Sequence, residues 1–150
     1  MTTDRLPTTA ERLDAVTDWA ELGGFPVRER SDTGLLVDLD RAGSLTISVD
    51  VGEDTEPIRL HDRFSVEGGA GLSDEVVEQT VLGRSSMIDA RTVGSDGVET
   101  VVAVYPDGLD RHRFMTALFE LQKVRDLIRR ECAVRAVDEA TVAELERLLH

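Results

Sequence analysis

Leu45-Thr46-Ile47-Ser48-Val49-Asp50-Val51 alternates apolar and polar side chains without a break. In an extended chain successive side chains point to opposite faces, so this run has one face for a core and one for water. That is the signature of a strand in an antiparallel sheet whose second face is solvated. Working upstream, Arg41-Ala42-Gly43-Ser44 reads as a turn, and Leu35, Val37 and Leu39 alternate with Leu36, Asp38 and Asp40. Before them Ser31-Asp32-Thr33-Gly34 is a second turn and residues 25–30 a short strand, which makes a hairpin. Downstream, Ile58, Leu60, Phe64 and Val66 predict a further strand with an irregularity at His61-Asp62-Arg63. Residues 87–93 and 98–105 flank Gly94-Ser95-Asp96-Gly97 and form a second hairpin, with glycines where a turn needs positive φ.

The helices frame these strands. Thr8 and Glu11 have capping-box spacing ahead of Leu13, Val16 and Ala20, predicting a helix over 9–22 that stops at Gly23-Gly24. Ser73 is placed as an N-cap, with Asp74 and Glu75 favouring the positive end of a short helix that ends at Gly83. After Pro106-Asp107-Gly108, Asp110 caps the longest helix, 110–132, with Phe114, Ala117, Leu118, Leu121, Val124 and Ile128 on one face. Asp138 then opens a separate terminal helix carrying Val142, Leu145 and Leu149. The order α-β-β-β(-β)-α-β-β-α-α predicts an α+β fold, a mostly antiparallel sheet of five or six strands packed by helices. At 150 residues, without an interdomain linker, one domain over 1–150 is expected.

Composition narrows the function classes. With 41% hydrophobic and 31% charged residues the chain should fold around a core. No apolar run reaches the roughly 20 residues that span a bilayer, and the N-terminus lacks a signal-peptide pattern, so a cytoplasmic protein with no membrane partner is expected. The net charge of −13 argues against nucleic acid, whose binding depends on clustered cations. Lys123 is the only lysine among 17 cations, facing 30 acids. That balance fits a halophile's concentrated cytoplasm, although a GC-rich genome also exchanges lysine for arginine. The halophilic reading predicts a melting temperature that climbs between about 0.1 and 3 M potassium chloride as self-repulsion is screened.

No set of residues predicts catalysis, a metal or a cofactor. His61, His112 and His150 are too scattered for a metal cluster, and the single Cys132 can form neither an intrachain disulfide nor a zinc site. His61 beside Asp62 could pair an imidazole with a carboxylate, but mixed polar residues are ordinary at an irregularity. Asp38, Asp40 and Gly43 resemble the start of a calcium loop, yet Ala42 and Val49 stand where oxygen ligands belong. The acids Asp50, Glu53, Asp54 and Glu56 read better as a solvated loop. Gly68-Gly69-Ala70-Gly71 precedes a helix as a phosphate loop would, but Glu67, Asp74 and Glu75 surround it with negative charge, so it reads as a flexible connection.

The uneven charge lies between positions 111 and 135, where seven cations face three acids and the net is +4. Part of it has a structural account, since Asp126 and Arg130 are spaced i,i+4 and Arg129 and Arg130 sit where the helix was expected to end. The rest suggests a helix that meets an acidic surface through Arg125 and Arg129, with Val142, Leu145 and Leu149 as apolar partner-binding positions. The order of elements, with Val101-Val102-Ala103-Val104-Tyr105-Pro106-Asp107-Gly108-Leu109 running into Phe114, Ala117, Leu118 and Leu121, resembles the YbjN/type III secretion chaperone-like group. The resemblance implies a non-enzymatic, protein-binding or regulatory module, often dimeric, with no catalytic residues to carry over. The strand at 58–66 and the helix after Asp138 depart from that pattern. A small-molecule or ion-binding domain, with a pocket between sheet and long helix around Phe64, Tyr105 and Phe114, is the alternative.

Overall fold

The computed structural model describes residues 8–39, 46–52, 56–82, 88–105, 107 and 109–149. Along the chain run α1 (Thr9–Leu22), β1 (Val27–Arg30), β2 (Gly34–Asp38), β3 (Thr46–Asp50), β4 (Ile58–Ser65), a 3₁₀ turn (Glu67–Gly69), α2 (Asp74–Leu82), β5 (Ile88–Val93), β6 (Gly97–Val104) and α3 (Arg111–Leu149). The strands make a six-stranded antiparallel sheet in the order β1-β2-β3-β4-β6-β5, and with the helices this is the α+β fold that periodicity predicts. The turn at 41–44 and the calcium-like residues Asp40, Ala42 and Gly43 lie outside the described residues, as do Glu53, Asp54 and His150.

By residue contacts the chain divides into two compact units, Met1–Asp62 with Val101–Leu121, and Arg63–Thr100 with Gln122–His150. In the first, the capping box forms: the Glu11 N–H donates to Thr8 Oγ1 at 3.2 Å and the Thr8 N–H to Glu11 Oε1 at 3.4 Å. Helix α1 then lays Leu13, Val16 and Ala20 against β1 and β2. Its Trp19 meets Phe114 at 5.9 Å between ring centroids, and Phe25 meets Phe119 edge-on at 5.8 Å. The register aligns Val37, Ile47 and Asp62 in one cross-strand row and Leu36, Ser48 and His61 in the next. The first row is fully buried and the second is not, which is the alternation read at 45–51 carried across three strands.

Arg12 was not singled out by composition, yet it is 1% exposed and organises this unit. Its Nη1 donates to the Glu56 carbonyl at 2.8 Å and its Nη2 to the Gly52 carbonyl at 3.1 Å. Thr9 Oγ1 donates to the same Gly52 carbonyl at 2.9 Å. The first turns of α1 thus satisfy backbone acceptors that follow β3, and a charged donor to a buried carbonyl is among the stronger hydrogen bonds of a fold.

In the second unit α2 packs on β5, its N-terminus capped by Ser73 Oγ, which accepts from the Val76 N–H at 3.2 Å. The glycine-rich segment before it is not a loose connection. Gly69 and Gly71 both have positive φ, and a Cβ on them would lie 2.3 Å from the Ser95 and Cys132 carbonyl oxygens respectively. These glycines let backbone approach backbone, a role a phosphate loop shares only in appearance.

Helix α3 departs from expectation. The break anticipated between positions 132 and 138 is absent, and 39 residues run as one helix. Asp138 has the chemistry of an N-cap, but a cap marks a start only where the preceding turn stops. No glycine or proline occurs from Arg111 to Leu149, so nothing stops it. Asp110 does cap the true start, accepting from the Arg113 N–H at 2.7 Å.

Candidate interaction surface

The first part of α3 shows how a covered helix looks in this protein. Phe114, Leu118, Leu121, Val124, Ile128 and Cys132 are all fully buried, at three- and four-residue spacing. Two arginines expected at a partner surface belong instead to this packing. Arg125, at i+4 from Leu121, is 2% exposed with its guanidinium 5.4 Å from the Phe64 ring centroid. Arg129 is exposed, but it also stacks on Phe64 at 5.2 Å and donates from Nε and Nη2 to the Ser65 carbonyl at 3.3 and 3.2 Å. Because the helix continues to Leu149, Arg129 and Arg130 lie mid-helix and have no terminal dipole to complement. Two of the seven cations of the positive segment are therefore engaged by β4.

The remaining candidates lie on the far part of α3, and there the pattern changes. Every residue from position 137 to 149 is exposed. Val142 and Leu145 are each 54% exposed and Leu149 82%, and Val134, Val137 and Leu148 are uncovered beside them. At about 100° per residue these six side chains and Thr141 fall within an arc of roughly 140°, which also contains Asp138 between Leu145 and Leu149. The helix is fixed locally by Thr141 Oγ1 donating to the Val137 carbonyl at 2.9 Å and by the Glu144–Arg147 ion pair. A largely apolar stripe of this size, left exposed by the described residues, is the feature that marks an interaction surface, since isolated exposed hydrophobes are ordinary but grouped ones are not. Upstream, the same side of the helix meets a groove of about 260 Å³ between α2 and α3, lined by Val76, Gln79, Thr80, Leu127, Glu131 and Arg135.

The polar candidates do not converge. The irregularity expected at His61-Asp62-Arg63 is absent: β4 is regular through these residues, and its burial alternates. His61 and Asp62 therefore project to opposite faces, Asp62 into the core at 0% exposure and His61 to the open face beside Ser48. That open face holds a shallow depression of about 500 Å³ lined by Glu29, Ser48, Asp50 and His61 among others. Asp38 is taken up by Arg28 and by Thr46 Oγ1, which donates to it at 2.9 Å. Among the described residues no three His, Cys, Asp or Glu side chains gather as a metal site, and no helix is long and apolar enough to cross a membrane. Phe64 lies buried under its arginines, Phe114 is buried against Trp19, and Tyr105 is exposed. Cys132 is buried, and burial together with the neighbouring Glu131 carboxylate pushes its thiol above the ordinary thiol range.

No family model matches this chain, and no curated protein does. Among solved structures it is similar to an uncharacterised protein from Methanothermobacter thermautotrophicus, with a TM-score of 0.58 and 15% identity over 81% of this chain and 96% of the other. At that identity the likeness concerns the fold.

Proposed function

We propose that this protein is a non-enzymatic, protein-binding module of the kind its resemblance to the YbjN/type III secretion chaperone-like group implies, and that it docks through the apolar face over residues 134–149 of α3. The observation that carries this reading is the run of exposed positions from 137 to 149, which holds Val142, Leu145 and Leu149 in one stripe. Roughly 12 residues of helix without tertiary support are marginal in water, so a stripe of this composition gains stability when something covers it. The opposite facing of His61 and Asp62 supports the non-enzymatic part of the reading. A paired capture at native salt tests it, with the wild-type chain and a Leu145→Asp/Leu148→Asp variant as baits. Proteins retained by the first and lost from the second are expected; identical captures would contradict the reading.

A further inference from the structure

We draw no further inference here: the strongest candidate, the shallow depression on the open face of the sheet where Glu29, Leu36, Ser48 and His61 fall in one cross-strand row beside Asp50, is a group of acids with one imidazole for which nothing among the described residues points to a ligand.

Discussion

The two ends of α3 carry the same kind of apolar spacing and meet opposite fates. From Phe114 to Cys132 the stripe is buried, two arginines are drawn down onto Phe64, and the Cys132 carbonyl is pressed by Gly71. From Val137 to Leu149 the helix continues at full regularity with its stripe in solvent. Periodicity therefore states that a face wants covering and is silent about what covers it. In the first part the cover is the protein's own core; in the second the described residues leave the stripe in solvent.

Substitutions that separate the two ends should differ most where burial differs most. Leu121→Ala should cost about 2–5 kcal/mol in urea denaturation, the range for a leucine removed from a packed core. Leu148→Ala, at an exposed position, should stay within about 0.5 kcal/mol of wild type. Equal losses at both positions would erase the distinction. Gly71→Ala should cost about 1–3 kcal/mol from forced positive φ, with the approach to the Cys132 carbonyl added to it. Gly68→Ala carries a comparable φ of 61° but meets open space, so it should be the milder of the two in the same assay. Arg125→Ala should lose about 2 kcal/mol or more, because its stacking on Phe64 is desolvated, against about 0.5–1 kcal/mol for the exposed Arg129→Ala.

The smallest effect is a pH slope. The folded Cys132 thiol binds its proton more tightly than the unfolded one. Its contribution is present below the ordinary thiol value and is lost as pH rises from there through the raised folded value. Denaturation across alkaline pH should show that fall in wild type and a shallower one in Cys132→Ala.

Much of this fold is legible from spacing alone. Alternation at 45–51 extends by register to Leu36, Ser48 and His61 on one face, and the caps at Thr8, Ser73 and Asp110 all form. The misjudged or overlooked places share one cause, in that a residue's chemistry outweighed its position. Asp62 follows Ile58 and Leu60 at period two, and Arg12 and Arg125 fall at i−4 from Val16 and i+4 from Leu121, so all three occupy inward positions despite their charge. Asp138 suggested a helix start by type, where the absence of any breaker decided otherwise. Of the candidate surface, Val142, Leu145 and Leu149 could be found by period, whereas their exposure could not. Whether a stripe is covered depends on elements distant in sequence. The glycines at 69 and 71 show the same limit, because what demands them is the Ser95 and Cys132 backbone.

Hydrogen exchange at the amides of residues 137–149, on the chain alone and on the chain holding a protein retained in the paired capture, measures most directly whether that end of α3 is a docking face. Protection that is slight on the chain alone and grows in the complex, while the amides of residues 114–132 stay protected throughout, is the predicted result. Rapid exchange over 137–149 that is the same with and without the partner would contradict the account.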